Sequence, residues 1–296
     1  MHAYLRSIGL KEIINKKELK NLLLEVIENP DEQKIVSVDN AGGNVAELKK
    51  NFADNMGILI HGYYDEDGKF EMEYYIPYLE GKAKPVEDNI AITRHISRES
   101  FAGVCEDMRV GATLIYYLIN GIDYLDIIMR QDSAYFQTKV CLSGLSVSGT
   151  VLFPVSKNEK QKEKCRIEMM NRRKLMSEAK RGDEAAIESL TIEDLDTYTK
   201  ISRRIRTEDV FTIVDSSFMP YGVECDQYSI VGEIKSVDMT KNRYSGETIY
   251  ILEVDCNDFE VSIGINIEDL TGEPQIGRRF KGSIWLLGQV YFDLVK

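Results

Sequence analysis

The sequence predicts an α+β protein whose helices and strands are largely segregated along the chain. Two changes of hydrophobic period carry this prediction. A mixed pattern gives way to a helical period at Ser156, and apolar and polar residues alternate after Val210. We therefore expect a mixed N-terminal domain with antiparallel strands, a basic helical unit and a β-rich C-terminal domain. Their predicted bounds are 1–156, 157–209 and 210–296.

The first predicted element is a helix over residues 16–28. Asn15 and Glu18 have the spacing of a capping box, in which each residue satisfies a backbone N–H group at the helix start. Apolar residues then recur at helical spacing, and Pro30 ends the element. This segment should pack one apolar face against the rest of the domain.

The rest of the N-terminal domain predicts strands. Alternating apolar residues around the Asp65–Gly68 turn indicate a hairpin, with strands at 56–64 and 69–78. Further strands are expected at 34–38, 90–94, 111–120 and 124–130, with two short strands within 140–155. The apolar stretch 110–130 also allows a helix, because short apolar runs do not distinguish the two states.

The helical unit begins with a second capping box, formed by Ser156 and Glu159. Its first helix should run to about Arg181, where Gly182 supplies a C-terminal stop. Asp183 is expected to cap a short helix through residue 190. Thr191 is expected to cap a third helix that ends near residue 206.

The C-terminal domain shows unbroken alternation from Phe259 to Ile267, which predicts a half-buried strand. Four further strands are expected at 230–237, 248–255, 279–287 and 290–294. Their order, with a short helical turn before the fourth, predicts a small OB-like antiparallel barrel or a sheet.

Charge distribution provides the main functional signal. The formal net charge is −12, yet residues 157–181 hold ten Lys or Arg against four Glu. Such a local contrast favours directed attraction of an acidic protein partner without general affinity for anions. The residues expected to bind it are Lys162, Arg166, Arg172, Arg173 and Lys174. An alternative is that this stretch docks on the chain's own acidic surface.

Nucleic acid is a weaker hypothesis for the partner. An OB-like barrel would offer the loop that holds Lys241, Arg243 and Tyr244. However, residues 207–296 carry 7 Lys or Arg against 16 Asp or Glu, and a groove that follows a phosphate backbone needs the opposite sign. A protein-binding or assembly module without enzymatic activity is therefore the favoured function.

The enzymatic alternative is a hydrolase or transferase with a cleft near Cys105, Glu106 and Asp107. It would use carboxylates or Cys105, and a histidine base would have to be His61 or His95. Two carboxylates next to a thiol disfavour the thiolate, which is the reactive form. The sequence also lacks the spacing of known metal and phosphate-binding motifs, so no metal or cofactor is predicted.

Other features bear on location. No apolar run is long enough to cross a membrane, and the N-terminal residues lack the apolar core of a signal peptide. Five widely scattered cysteines are typical of reduced thiols rather than a disulfide framework. We expect a cytoplasmic protein without membrane association, and the sequence makes no prediction about its oligomeric state.

Three segments resemble an uncharacterised bacterial family that is described only as a domain of unknown function. They are MHAYLRSIGL at the start, GVCEDMRVG in the middle and DVFTIVDSSFMPYGVECDQYSIVGEI before the C-terminal strands. The resemblance spans the chain and implies a cytoplasmic bacterial protein. It implies no mechanism and no functional residues.

Overall fold

The computed structural model describes residues 2–13, 15–38, 43–87, 90–94, 101–107, 112–129, 136–155, 159–223, 225–256 and 259–294. This part of the chain combines helices with antiparallel strands, and the predicted α+β class is confirmed. The α-helices are α1 (Lys16–Glu28), α2 (Gly121–Met129), α3 (Glu159–Lys180), α4 (Glu184–Arg204) and α5 (Val210–Ile213). Short 3-10 helices lie at Ala3–Ile8 and Ile267–Asp269.

The helix α1 has the predicted bounds, and the Asn15 side chain accepts a hydrogen bond from the Glu18 N–H group. Two other predictions are wrong. The strand expected at 124–130 is replaced by α2, which buries Ile122 and Leu125 on one helical face. No new helix begins at Thr191, because its hydroxyl donates to the Ile187 carbonyl one turn earlier and α4 continues.

The first sheet is an antiparallel meander of four strands in chain order. Its strands are β1 (Glu32–Val38), β2 (Gly43–Ala53), β3 (Met56–Tyr64) and β4 (Phe70–Leu79). The predicted hairpin is confirmed as β3 and β4. Strand β2 was not predicted, although Glu47 and Lys49 alternate with apolar residues as in a half-buried strand.

The second sheet contains the remaining strands of the described chain. They are β5 (Ala91–Arg94), β6 (Phe101–Asp107), β7 (Ala112–Leu118), β8 (Phe136–Ser146), β9 (Gly149–Leu152), β10 (Ser217–Pro220), β11 (Gln227–Lys241), β12 (Thr248–Cys256), β13 (Phe259–Asn266), β14 (Leu270–Thr271) and β15 (Arg279–Leu294). The two last predicted strands are one, because Gly288 and Gln289 continue the pairing with β8.

Five of these strands pair in a closed ring, in the order β11, β12, β13, β8, β15 and back to β11. The β13–β8 pairing is parallel and the others are antiparallel. Inward side chains such as Ile230, Leu252, Ile263 and Phe280 are fully buried and form its core. Closure leaves these five strands without the unpaired edges that promote aggregation.

Strand β8 lies before the helical unit in the chain, and β13 and β15 lie after it. The predicted N-terminal and C-terminal domains therefore share one sheet. The division into three domains stays a prediction, as does the OB-like description of the ring. The helices α3 and α4 follow β9 in the chain, and the chain returns to the second sheet at β10.

Candidate functional site

The basic helical unit forms a two-helix arm, which we define as residues 159–204. Gly182 joins the helices in a left-handed conformation with φ 88°, which favours a residue without a side chain. The Asp183 side chain then accepts a hydrogen bond from the Ala186 N–H group at 3.1 Å and caps α4. The predicted capping box at Ser156 lies outside the described residues.

The arm has almost no core of its own. Among the described side chains of α3 and α4, only Ala186 is buried. Large apolar side chains on and just after these helices are instead exposed. They are Ile167, Met170, Ile187, Ile192, Leu195, Tyr198 and Ile205. An arm of two helices, each about 30 Å long, that leaves these groups in water has surfaces suited to association.

The structure describes the side chains of three of the five predicted binding residues, Arg172, Arg173 and Lys174. Arg172 points toward α4, where its Nη2 atom lies 2.7 Å from Asp194 Oδ1 and its Nη1 atom 3.7 Å from Glu193 Oε2. Arg173 is half-exposed, and the Lys174 side chain is 77% exposed. Lys162 and Arg166 belong to α3, but their side chains lie outside the described part.

The outer face of α3 mixes apolar and basic side chains. Lys164, Ile167, Met170 and Lys174 are all exposed. At about 100° per residue they fall within roughly one third of the helix circumference. Glu168 and Glu178 lie one turn from the two lysines at 3.8 and 3.9 Å, and such exposed pairs are weak. The face therefore remains available to a partner that carries acidic and apolar groups.

A buried arginine holds the base of the arm. The Arg279 side chain donates to the carbonyl of Phe153, where the chain leaves the sheet, at 2.9 Å. It also donates to the carbonyls of Phe211 at 2.6 Å and Val214 at 2.8 Å, where the chain returns. Arg279 is 4% exposed, and burial lowers its pKa from the ordinary value. It joins the segments that precede and follow the arm to β15.

Comparison with known proteins identifies the family. The family described as "Domain of unknown function, E. rectale Gene description (DUF3881)" matches residues 5–288. The chain belongs to the DUF3881 family. This confirms the resemblance to an uncharacterised family. No curated protein and no solved structure matches the chain.

This DUF3881 member also has a polar cavity that the sequence did not indicate. It has a volume of about 220 Å³ and lies between the first sheet, the start of α2 and β15. Its lining is rich in charged groups that pair with each other, including Lys34 with Asp123 at 2.6 Å and Lys49 with Glu80. The lining residues are Glu32, Lys34, Glu47, Lys49, Leu59, Glu80, Ile119, Asn120, Asp123 and Gln289.

Glu47 lines this cavity and has a strongly raised pKa. It is 8% exposed, and its Oε1 atom accepts a hydrogen bond from the Ile122 N–H group at the start of α2, at 3.2 Å. Burial, with a smaller effect from the nearby Asp123 carboxylate, raises the pKa of Glu47 to about 8. The carboxyl group is therefore protonated near neutral pH. Sequence reasoning missed it because 49 acidic residues offered no basis for choice.

Two residues of the predicted catalytic cleft, Cys105 and His61, have described side chains, and neither lines this cavity. Cys105 is fully buried in β6. His61 is buried in β3, where its Nδ1 atom lies 3.2 Å from Glu73 Oε2 and its ring stacks on Tyr74. His95 and the side chains of Glu106 and Asp107 lie outside the described residues. Cys105 and His61 are thus separate from the cavity.

The predicted nucleic-acid loop lies against the first sheet. The Arg243 N–H group donates to the Phe52 carbonyl at 2.7 Å, and the Tyr244 ring packs near the Phe52 ring. Lys241 is exposed. Within the described ranges, no helix combines the length and the apolar character needed to span a membrane.

Proposed function

We propose that this DUF3881 member is a cytoplasmic docking protein without enzymatic activity, and that its arm binds an acidic protein partner. The observation that carries the proposal is the outer face of α3, where Ile167 and Met170 lie exposed between Lys164 and Lys174. The exposed apolar groups provide contact area, while the lysines on either side of them steer a partner of opposite sign.

Charge on the arm supports this partner chemistry. Helix α3 holds eight Lys or Arg against four Glu, whereas α4 holds three against five acidic residues. The arm is therefore net positive although Arg172 is occupied by α4. The rest of the chain is strongly acidic, so anions are attracted to the arm rather than to the body.

The proposed set of binding residues differs from the predicted one at Arg172 and Lys164. Arg172 bridges α3 to α4, so its replacement would disturb the arm itself. Lys164 and Lys174 are better targets, because each makes only an exposed i,i+4 pair in the described chain. Arg173 and Lys174 remain proposed contacts, and Lys162 and Arg166 remain predicted ones.

A charge reversal tests the proposal. Lys164→Glu with Lys174→Glu is expected to reduce capture of the partner from a cytoplasmic lysate by about tenfold or more, since two attractions become repulsions. The matched control is Lys17→Glu with Lys20→Glu, which makes the same charge change at exposed positions of α1. Capture is measured by quantitative pull-down with nuclease-treated lysate at two salt concentrations.

Equal loss in both variants would contradict docking through α3. Partner capture that disappears after nuclease treatment would instead favour nucleic acid, and such binding should weaken by orders of magnitude between about 50 and 200 mM salt. A second pair, Ile167→Ser with Met170→Ser, keeps the charge and removes the apolar contact. It should weaken capture with little effect on salt dependence.

Thiol reactivity tests the enzymatic alternative. We expect iodoacetamide near neutral pH to modify Cys225 before Cys105, because Cys225 is exposed and Cys105 is fully buried. Cys105 should react only after unfolding in urea. Peptide mass spectrometry over a time course measures both rates. Rapid and selective modification of Cys105 in the folded protein would support a catalytic thiol.

A further inference from the structure

The open face of α4 differs in chemistry from that of α3. Ile187, Leu195, Tyr198 and the C-cap residue Ile205 lie on one exposed side of α4, at spacings of eight, three and seven residues. At about 100° per residue these positions share roughly a quarter of the circumference. Leu195 is 66% and Tyr198 71% exposed. This is the apolar seam of an amphipathic helix without a partner in the described chain.

The charges of α4 are separated along its length. Its acidic residues all precede its basic residues, with Asp196 as the last acidic one and Lys200 as the first basic one. The acidic residues are Glu184, Glu188, Glu193, Asp194 and Asp196, and the basic ones are Lys200, Arg203 and Arg204. A helix of this kind attracts a second copy in antiparallel orientation and repels it in parallel orientation.

The apolar residues of the seam are also arranged about the middle of α4, near Asp196. Ile187 and Ile205 are equally far from Asp196, and Leu195 and Tyr198 lie on either side of it. A two-fold axis near Asp196 would place Ile187 against the partner's Ile205. An interface around a two-fold axis must be self-complementary in this way.

Two exposed charges beside the seam have no ion pair among the described residues. Glu188 and Arg203 flank the apolar positions, and neither makes an ion pair with another described residue. Glu188 precedes Asp196 by eight residues and Arg203 follows it by seven. The same two-fold axis therefore brings Glu188 of each copy close to Arg203 of the other.

From these observations we propose that the protein forms a homodimer through antiparallel pairing of α4 with α4 of a second copy. The two arms form a four-helix assembly, and the two bodies lie at its opposite ends. The outer face of α3 is not used, so self-association and the proposed docking function occupy different surfaces. Either one can fail without the other.

Sedimentation of the full-length protein tests the dimer. We expect a dimer with a dissociation constant of about 100 µM or lower. The affinity is modest because one pair of helices gives an interface at the small end of the range for specific contacts. Leu195→Glu with Tyr198→Glu should raise the dissociation constant by tenfold or more. The matched control is Ile167→Glu with Met170→Glu on α3, which should leave it unchanged. Circular dichroism checks that each variant keeps its helices.

Charge exchange tests the symmetry. Glu188→Arg and Arg203→Glu should each weaken the dimer, and the double variant should restore it toward the wild-type dissociation constant. Three results would overturn the proposal. They are a monomer throughout the concentration range, a dimer that is insensitive to the changes at Leu195 and Tyr198, and a double variant no stronger than the weaker single variant.

Cysteine cross-linking tests the orientation in a chain with Cys165→Ser and Cys225→Ser. Antiparallel pairing predicts a disulfide when Ile187→Cys chains are mixed with Ile205→Cys chains, and little disulfide in either variant alone. Cross-linking of each variant with itself would show parallel pairing, which contradicts the proposal.

Discussion

Replacement of Arg279 with methionine is expected to lower the free energy of unfolding by about 3 kcal/mol, because three part-buried hydrogen bonds to backbone carbonyls are lost. Arg279 donates to the carbonyls of Phe153, Phe211 and Val214, and a further contact to the Asp215 carbonyl is 3.3 Å long. Methionine fills much of the same space but donates nothing. Urea unfolding followed by circular dichroism measures the loss.

The control is Arg278→Met, one residue earlier in the chain. Arg278 donates to the Glu273 carbonyl at an exposed site, so its loss should cost less than about 1 kcal/mol. Arg279→Lys should fall between the two, because an ammonium group cannot reach the same set of acceptors as the planar guanidinium. An Arg279→Met protein as stable as the control would mean that the ends of the arm are held by other contacts.

Loss of Arg279 should also free the base of the arm before the body unfolds. Limited proteolysis in native buffer is expected to cut the Arg279→Met protein near Phe153 or Val214 faster than the wild type, since these backbone segments lose their anchor. Cleavage within the ring of strands should not increase as strongly. A uniform increase at all sites would indicate global destabilisation instead.

A Glu47→Gln variant is expected to gain stability relative to the wild type as pH rises from about 6 to 8. The pKa of Glu47 is raised to about 8 in the folded protein, from an ordinary value near 4.5. Between these values the folded state binds a proton that the unfolded state has lost, so the wild-type free energy of unfolding falls as pH rises. The expected slope approaches 1.4 kcal/mol per pH unit.

Glutamine removes this titration and still offers an oxygen to the Ile122 N–H group. The difference between wild type and variant should therefore grow by about 2 kcal/mol from pH 6 to 8. The difference between wild type and variant removes the contribution of His2, which is the same in both proteins. The pKa of His2 is lowered to about 4, so below pH 6.5 it makes the free energy of unfolding rise with pH. Glu66→Gln in the exposed β3–β4 turn is the control. A constant difference would mean that Glu47 is ionised in the folded protein.

Local elements could be predicted because their signals lie within a few residues. The bounds of α1 follow from the Asn15 cap and one apolar face, and the end of α3 follows from Gly182. The hairpin of β3 and β4 follows from alternation around a turn. Each of these signals acts between neighbours in the chain, so the sequence shows both partners together.

Elements whose state depends on distant packing were harder to predict. The segment 121–129 is short and mostly apolar, and its pattern is compatible with a strand or a helix. The helix is favoured in the fold because its first turn packs beside Phe101 and donates to Glu47. Neither partner can be inferred from the local sequence.

The candidate sites show the same division. The basic content of α3 and the charge separation of α4 are visible in the sequence. The capture of Arg172 by Asp194 depends on how the two helices face each other. The roles of Arg279 and Glu47 depend on groups 65 to 126 residues away, which surround each side chain only after folding.

By itself the sequence determined the mixed class, the helical arm between β-rich segments, and the contrast between a basic arm and an acidic body. Tertiary structure alone decided that β8 inserts between β13 and β15 and closes the ring. The physical reason is the range of the interactions. Caps, turns and periodicity are short-range, whereas the pairing of β8 with β13 joins residues about 120 positions apart and depends on burial against the whole core.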